Sequence, residues 1–240
     1  MMSDKIILID GNSIINRAFY GVPDLTNHEG LHTNAIYGFL NIFLKLINDE
    51  DPGYMMVAFD EKAPTFRHKM YEKYKGSRKP MPEELAEQMP VLKDTLHAMG
   101  VKTYSQAGIE ADDILGTMAS ISKKAGLSVI VVSGDRDLVQ LVDDDITVLL
   151  PKTKGGKTEV INYDKQAVIR DFSVTPAQII DLKGLMGDSS DDIPGVPGVG
   201  EKTAVNLLDK YGSVEEVLDK AEEIENKRAK NAILANKELA

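Results

Sequence analysis

Carboxylates follow three apolar segments of the chain at the point where each segment ends. Asp10 follows IILI and Asp60 follows MVAF. Asp135 and Asp137 follow the third segment, in VIVVSGDRD. In an open parallel sheet the carboxyl ends of the strands line one crevice, which is where ligands bind. If these segments are neighbouring parallel strands, we expect their acidic side chains to converge in that crevice.

Two more stretches, IEADDILG and GDSSDD, add acids at an expected helix entrance and near a second subdomain, namely Glu110, Asp112, Asp113, Asp188, Asp191 and Asp192. The spacing predicts that Asp135 and Asp137 share one side of an extended segment. It also predicts that Asp188 and Asp191, three apart, share one helical face. For any single aspartate after a strand, a helix N-cap is an equally good interpretation. The number of acids favours a shared function.

A crowd of carboxylates without cationic neighbours is poorly tolerated unless metal ions bind there. No comparable set of Lys or Arg accompanies these motifs in the sequence. Oxygen ligands select Mg²⁺, with Mn²⁺ as a substitute, and the four scattered histidines suggest no imidazole site. Two such ions are the standard means of hydrolysing a phosphodiester. The acids therefore predict a nuclease-type site for two or more Mg²⁺ ions.

A one-signed basic stretch follows Asp60. Residues 61–79 contain seven Lys or Arg against two Glu, and TFRHKMYEKYKGSRKPMP interleaves these cations with Tyr71 and Tyr74. Lys and Arg neutralise phosphates and aromatic rings stack on bases, which is the chemistry of single-strand binding. The alternative is a solvated helix face. We predict DNA contacts here, and we add Arg17 as a further DNA-binding residue.

A glycine-rich run, IPGVPGVGEKTA, occupies residues 193–204. It is not a P-loop, because it has one residue too many between the second glycine and the lysine and no apolar strand precedes it. A glycine bend at a helix start, with Lys202 and Thr203 beside it, suits a duplex phosphate backbone. A plain structural turn is the alternative.

The elements that must position these residues alternate along the chain. Strands are predicted from apolar runs at residues 5–9, 54–59, 129–132 and 146–150, with a weaker one at 101–105. Helices are predicted at 33–48, capped by Thr33 and Asn34, and at 83–99 and 112–125. The pattern indicates an α/β fold with a mostly parallel sheet flanked by helices. The segment KTKGGKTEV predicts a hairpin with a Gly-Gly turn. After about Thr175 we expect that strands vanish and that the chain forms short helices only.

Composition bounds the class of protein. The 240 residues carry 38 acidic and 28 basic side chains, a net charge of −10, so any nucleic-acid affinity must come from local patches. The absence of cysteine excludes disulfides, thiolate zinc sites and a cysteine nucleophile. No apolar run reaches the length of a membrane span or a signal peptide, so we expect no membrane partner and a cytoplasmic location. The last helical pattern stops without a Gly or Pro, which suggests a longer natural chain.

The chain resembles the 5′-nuclease or flap endonuclease family over nearly its whole length. The resemblance rests on five motifs in the family's order and spacing: IDGNS, AFD with FRHKMYEKYKGSR and MPEEL, EADDILG, SGDRDL, and GDSSDDIPGVPGVGEKTA. It implies a PIN-like nuclease core over residues 1–174, with a helical arch at about 61–90, and a helix-hairpin-helix subdomain over 175–240. The implied activity is metal-dependent 5′ to 3′ exonuclease and 5′-flap endonuclease cleavage in replication and repair.

The same resemblance assigns roles by position. It implies that nine acids bind metal directly or through water: Asp10, Asp60, Glu110, Asp112, Asp113, Asp135, Asp137, Asp188 and Asp191. It places Lys75 and Arg78 at the scissile phosphate, and Gly198 and Gly200 in the hairpin that holds duplex DNA and K⁺. Asp192 departs from the family's usual Asn. An extra charge there would alter the second metal site or point outward without effect.

The expected partners are DNA with a 5′ flap or 5′ end and RNA-primed DNA, bound by a monomer in the bacterial nucleoid, with a polymerase domain able to follow Ala240. Two rival functions remain. One is a junction-binding module that has lost catalysis, which the presence of all nine acids disfavours. The other is an aspartyl-phosphate enzyme that uses Asp10, but such enzymes carry D-x-D and the third residue here is Asn12.

Overall fold

The protein is described from a computed structural model that covers residues 3–154 and 157–239. The chain divides into two compact units. The first contains the residues up to Phe66 together with Pro80–Asp164, and the second contains Arg67–Lys79 together with the residues from Lys165 onward. Residues 67–79 of the basic stretch therefore belong to the same unit as the C-terminal part, whereas residues 61–66 belong to the first unit. The predicted boundary between 174 and 175 stays a prediction.

The first unit is built on a six-stranded sheet in the order β3-β2-β1-β4-β5-β6. Its strands are β1 Lys5–Asp10, β2 Tyr54–Ala58, β3 Lys102–Tyr104, β4 Ser128–Val132, β5 Ile146–Lys154 and β6 Lys157–Tyr163. The first five strands are parallel, and β6 is antiparallel to β5. The predicted α/β fold class, with a mostly parallel sheet, is confirmed. The Gly-Gly turn predicted between β5 and β6 lies outside the described residues.

Eleven α-helices are present in the described residues: α1 Gly11–Gly21, α2 Asn34–Glu50, α3 Phe66–Met70, α4 Glu83–Ala86, α5 Gln88–Ala98, α6 Ala111–Lys124, α7 Lys165–Phe172, α8 Ile179–Met186, α9 Glu201–Tyr211, α10 Val214–Asp219 and α11 Lys227–Ala235. The single helix predicted over 83–99 is wrong, because it is broken at Glu87. Pro90 explains the break, since proline has no N–H for the carbonyl of Ala86 and its ring clashes with that carbonyl in a continuous helix. None of these helices is long and apolar enough to cross a membrane.

Both faces of the sheet are covered, which is why its strands are almost wholly apolar. Ile7 and Ile9 pack on one face into a core with α1, α2 and α5. Helix α6 contacts β1, β2 and β4 and buries Ile114 and Leu115. The sheet order reverses direction at β1, with β2 on one side and β4 on the other. The carboxyl ends of β1 and β4 thus form the switch point where open sheets of this type bind ligands.

The predicted cap of α2 is only half right. Thr33 occupies the N-cap position, but its hydroxyl donates to the carbonyl of Leu25 and makes no capping bond within the described part of the chain. The Asn34 side chain is buried and donates to the carbonyl of Phe19 over 3.0 Å. These two polar residues therefore fasten the start of α2 to the preceding loop and to α1.

The second unit is mainly helical, with one correction to the sequence prediction. A short hairpin of β7 Gly187–Asp188 and β8 Ile193–Pro194 lies between α8 and α9. A Cβ atom on Gly187 would lie 2.3 Å from the backbone nitrogen of Gly195, so only glycine fits this close approach. The expectation that strands vanish after Thr175 is thus wrong for these four residues.

Candidate active site

Asp10 is the last residue of β1 and the N-cap of α1. Its Oδ1 accepts the backbone N–H of Ser13 over 2.9 Å, and its Oδ2 accepts the hydroxyl of Ser133 over 2.7 Å. The carboxylate is only 5% exposed, and this burial raises the pKa of Asp10 to about 6. The two hydrogen bonds oppose the rise, while the charges of Asp60 and Asp135 add to it. Asp60 and Asp135 therefore lie close enough to Asp10 to repel its charge.

The other residues of IDGNS position the neighbouring loops. A Cβ atom on Gly11 would lie 2.4 Å from the ring of Phe59, which follows β2. Asn12 accepts the backbone N–H of Asp60 over 3.0 Å through its Oδ1 atom. Glycine makes room for the ring and Asn12 fixes the backbone at Asp60. The carboxyl ends of β1 and β2 are held together in this way.

Asp60 and the EADD motif meet at the start of α6. The Oδ1 atom of exposed Asp60 accepts the backbone N–H of Ala111 over 2.7 Å. Glu110 is the buried N-cap, and it forms a reciprocal capping box with Asp113, whose Oδ2 accepts the N–H of Glu110 over 3.0 Å. The helix dipole favours this negative charge at its N-terminus. The N-cap interpretation is therefore correct for Glu110, while the shared-site interpretation of Glu110, Asp113 and half-buried Asp112 stays a prediction.

The loop after β4 differs from the predicted extended segment. Asp135 caps a 3₁₀-helix, Arg136–Leu141, and accepts the backbone N–H of Asp137 over 2.8 Å. The prediction that Asp135 and Asp137 share one side of an extended chain is therefore wrong. Ser133 fixes this loop, because its fully buried hydroxyl accepts the N–H of Asp135 over 3.0 Å while it donates to Asp10.

The donor set at this edge fits a hard divalent cation in its chemistry. The charges of Asp60 and Asp135 disfavour the ionised form of Asp10, a cost that a cation would relieve. Within the described residues, no three acidic or histidine side chains are gathered tightly enough to hold one ion between them. Mg²⁺ usually binds one or two carboxylates and keeps several waters, so it does not require such a cage.

Two of the predicted metal ligands lie in the second unit and have cationic partners there. Asp188 is buried, accepts a hydrogen bond from the Ser190 hydroxyl over 2.6 Å and pairs with Lys183 over 2.8 Å. Asp191 pairs with Arg78 over 2.5 Å. The prediction of one shared helical face is wrong, because Asp188 lies in β7 and Asp191 in the turn that follows. The expectation that these acids lack cationic neighbours is also wrong.

From residue 67 onward the basic stretch lies in the second unit, where the short helix α3 is followed by a series of turns. Tyr74 is 4% exposed, its hydroxyl donates to Asp191 over 3.1 Å, and its ring meets the edge of His68. The prediction that Tyr74 offers a stacking surface to bases is wrong for this structure, because the ring is packed inside. Lys75 lies over the same ring, with its Nζ 4.9 Å from the centroid. Tyr71 is half-buried. A helical arch over 61–90 stays a prediction, since this range holds α3, α4 and only the beginning of α5.

The Asp192 side chain is hydrogen-bonded to a neighbouring loop and does not point outward without effect. Its carboxylate accepts the backbone N–H of Ser77 over 2.8 Å. This backbone hydrogen bond, with a further one from the Ser77 side chain, lowers the pKa of Asp192. The departure from Asn at this position therefore keeps a hydrogen-bond acceptor.

The glycine-rich run forms an exposed turn before α9. Gly198 has φ of +87°, a conformation that favours glycine, whereas Gly200, the N-cap of α9, has an ordinary φ of −97°. No heavy atom of the described residues would lie within 4 Å of a Cβ on Gly200. Lys202 and Thr203 follow in the first turn of α9. The backbone at Gly200 is thus open to a close approach.

Arg228, on α11, is a basic residue that the sequence analysis missed. Its guanidinium lies 3.8 Å from the Cβ position of Gly198. The Asn226 side chain caps α11 and accepts the backbone N–H of Arg228, which orients the first turn. The sequence does carry a signal for Arg228, because Asn226 followed by KRAK is typical of a helix N-cap before a basic first turn. The same kind of oversight applies to Ser133, which directly follows an apolar strand.

Arg17 lies against the loop after β4. A Cβ on Gly134 would come within 3.1 Å of its Nη2 atom, so the guanidinium covers the glycine backbone. Its Nε atom is buried and has no hydrogen-bond partner among the residues that the structure describes. Arg17 also lines a cavity of about 690 Å³ with Asn41 and Asn162. The structure therefore places Arg17 beside the loop that carries Asp135.

This combination of a parallel sheet, acids at the carboxyl ends of its strands and a C-terminal helical unit defines the class of the protein. A protein-family model for the 5′-3′ exonuclease N-terminal resolvase-like domain matches residues 5–173, and one for the 5′-3′ exonuclease C-terminal SAM fold matches residues 174–240. The chain belongs to the 5′-3′ exonuclease family, whose members are metal-dependent nucleases. The predicted family is confirmed.

Curated relatives carry the name DNA polymerase I. The chain is 47% identical over 239 residues to that of Bacillus caldotenax, which covers 100% of this chain and 27% of the relative. It is 48% identical over 243 residues to that of Bacillus subtilis, covering 98% of this chain and 27% of the relative. The chain therefore resembles the 5′-3′ exonuclease region of bacterial DNA polymerase I. The chain spans about a quarter of the length of these relatives.

Solved structures support the fold. A bacteriophage T5 flap endonuclease in complex with DNA and metal ions has a TM-score of 0.78 at 23% identity, covering 98% of this chain and 85% of that one. The catalytic core of Rad2 in complex with DNA has a TM-score of 0.59 at 17% identity, covering 98% of this chain and 74% of that one. At these identities the similarity establishes the architecture alone.

Proposed function

We propose that this chain is a structure-specific nuclease that hydrolyses DNA from a 5′ end and at the base of a 5′ flap, and that removes RNA primers in replication and repair. The observation that carries the proposal is Asp10, a carboxylate that is 5% exposed and repelled by Asp60 and Asp135 at the switch point of the sheet. Such an arrangement is costly in folding and useful only where cations bind.

In this proposal two or more divalent ions, Mg²⁺ with Mn²⁺ as a substitute, supply nucleophile activation and neutralise the leaving oxygen. The chain's own residues hold and orient them. Asp10 is fixed by Ser13 and Ser133, and Asp60 by Asn12. The further acids of the set act directly or through water: Glu110, Asp112, Asp113, Asp135, Asp137, Asp188 and Asp191. Asp10 and Asp60 are already held by hydrogen bonds from uncharged groups, so these two ligands need little reorganisation to bind an ion.

Cations of the second unit act on the substrate in this proposal. Lys75 and Arg78 stabilise the charge that develops on the reacting phosphate. The turn at Gly198 and Gly200, with Lys202 and Thr203, binds the phosphate backbone of the duplex through exposed N–H groups, without reading sequence. Arg228 adds a cation beside this turn. A K⁺ ion at the turn is part of the same proposal.

The proposed substrates are supported by the relatives. The neighbouring phage flap endonuclease was solved with DNA and metal ions, and the relatives are DNA polymerase I proteins of bacteria. We propose that this chain acts as a monomer in the bacterial cytoplasm at the nucleoid, with a polymerase domain able to follow it.

An end-labelled duplex with a 5′ flap tests the proposal. Cleavage near the flap junction with Mg²⁺, and none with excess chelator, is the expected result. The rival, a junction-binding module, predicts tight binding of the same duplex with no cleavage in any divalent metal. Cleavage that persists in chelator would remove the role of the cations.

A further inference from the structure

The loop that carries Lys75 and Arg78 is a series of tight turns with one unusual backbone conformation. The N–H of Gly76 donates to the carbonyl of Lys73, and the N–H of Arg78 donates to that of Lys75. Lys75 has φ of +54°, in the left-handed region that residues with a Cβ seldom adopt. A conformation of this kind persists only where surrounding contacts enforce it.

Those contacts come from the β7–β8 hairpin of the same unit. The backbone N–H of Lys75 donates to the carbonyl of Asp191 over 2.9 Å, and the Arg78 Nη2 atom reaches the Asp191 carboxylate over 2.5 Å. The backbone N–H of Ser77, between these two cations, donates to Asp192 Oδ2 over 2.8 Å. The hairpin therefore binds the loop through hydrogen bonds at Lys75, Ser77 and Arg78.

The two aspartates of the hairpin differ in what else they must do. Asp191 belongs to the proposed metal-binding set, and an ion there would compete with Arg78 and Tyr74, which already donate to its two carboxylate oxygens. Asp192 has no such second task in the proposed mechanism. Its own backbone is also left-handed, with φ of +58°, a conformation that Asp and Asn tolerate better than most residues. The Asp192–Ser77 bond thus remains available when Asp191 binds metal, as does a longer bond from Arg78 Nε to the carbonyl of Ser190 over 3.4 Å.

We propose that Asp192 is a positioning residue, whose carboxylate fixes the backbone at Ser77 and thereby holds Lys75 and Arg78 in place for the reaction. This inference rests on the proposed function of these two cations. It adds a residue that acts through the loop and not on the substrate or the ions.

Three substitutions separate the hydrogen bond from the backbone conformation. Asp192→Asn keeps an oxygen acceptor and tolerates the left-handed backbone, while Asp192→Gly tolerates that backbone but has no acceptor. Asp192→Ala loses both. With wild-type and variant enzyme saturating a 5′-flap duplex, we expect Asp192→Gly to lower the single-turnover rate roughly tenfold, with duplex affinity unchanged and Asp192→Asn near wild type. If Asp192→Gly cleaves as fast as wild type, Asp192 is a turn residue only and the inference fails.

Two further measurements make the test specific. In a Lys75→Ala/Arg78→Ala background, Asp192→Gly should cause no additional loss, because a positioning residue acts through the residues it positions. A full tenfold loss in that background overturns the inference. Hydrogen exchange at the Ser77 amide, measured without DNA, should accelerate in Asp192→Gly and not in Asp192→Asn. Unchanged exchange in Asp192→Gly refutes the contact even if the proposed nuclease activity is absent.

Discussion

Ser133 and Asp10 share a hydrogen bond of 2.7 Å, although 123 residues separate them in the chain. The same hydroxyl accepts the backbone N–H of Asp135 over 3.0 Å. One buried oxygen thus fixes the acid at the end of β1 and the loop that carries the acid after β4. A Ser133→Ala variant should leave the N–H of Asp135 unpaired and cost about 1–3 kcal/mol of stability, measured by urea unfolding.

Ser133→Ala should also weaken divalent metal binding by about 10- to 100-fold, because a ligand loses the partner that orients it. Titration of Mn²⁺ by calorimetry measures this loss. Ser120→Ala, at an exposed position on α6, is the matched control and should change neither quantity. Equal metal affinity in Ser133→Ala and the wild type would mean that the hydroxyl serves packing alone.

The role of the acids is tested best at Asp135. Asp135→Asn keeps the oxygen that accepts the N–H of Asp137 and so preserves the loop, but it removes the negative charge. We expect turnover of a flap duplex to fall by at least about a hundredfold in Mg²⁺, with an unchanged unfolding midpoint. Asp188→Asn is a poorer choice, since it also breaks the pair with Lys183. Near-normal cleavage by Asp135→Asn would falsify the assignment of this acid.

Lys75→Ala and Arg78→Ala should each damage the chemical step more than binding. A well-placed donor to developing charge contributes roughly 2.7–4 kcal/mol in other enzymes, so single-turnover rates should fall by about 10²–10³. Lys220→Ala, an exposed cation of the same unit, is the control. Because Arg78 also pairs with Asp191, its variant needs a thermal unfolding curve beside the rate. If both rates match that of the control, the stretch is a solvated surface.

The duplex contact is tested by Gly200→Val and Arg228→Ala. Gly200 has an ordinary φ and open space around its Cβ position, so valine should fold normally but keep phosphates away from the backbone. Arg228→Ala should weaken binding of any duplex sequence and reduce the salt dependence of log Kd by about 1. Arg170→Ala, whose guanidinium already pairs with Asp171, is the control. Unaltered affinity in both test variants would leave the run as a structural turn.

One stability contribution should depend on pH near neutrality. The hydrogen bond that the His32 ring donates to the Asp24 carboxylate raises the pKa of His32 above its usual 6.5. Since the folded state holds the proton more tightly than the unfolded state, this contribution is full below pH 6.5 and is lost as pH rises through the raised pKa. The midpoint of thermal unfolding of Asp24→Asn should therefore lie below that of the wild type at acidic pH and coincide with it above neutral pH. A constant difference across this range would exclude the linkage.

The sequence sufficed for the sheet and for the acids at its strand ends, because buried parallel strands are continuous apolar runs and Asp10 and Asp60 follow two of them directly. It did not predict the partners of these acids. Ser133 reaches Asp10 and Arg78 reaches Asp191 only through the tertiary fold, and the second pair stands 113 positions apart in the chain. Local spacing failed at Asp188 and Asp191, where a glycine-dependent hairpin replaces the expected helix. The break before Pro90 was legible in the sequence and was missed.

Residues 67–79 group with the C-terminal unit and bond to its hairpin, although they are inserted between two parts of the first unit. A chimera made from two members of this family must therefore take residues 67–79 and the C-terminal part from the same parent if these contacts are to be kept. A chimera with a single crossover near residue 165 would join residues 67–79 of one parent to the β7–β8 hairpin of the other. Two crossovers, which transfer residues 67–79 with the C-terminal part, would keep Ser77 and Asp192 from the same parent.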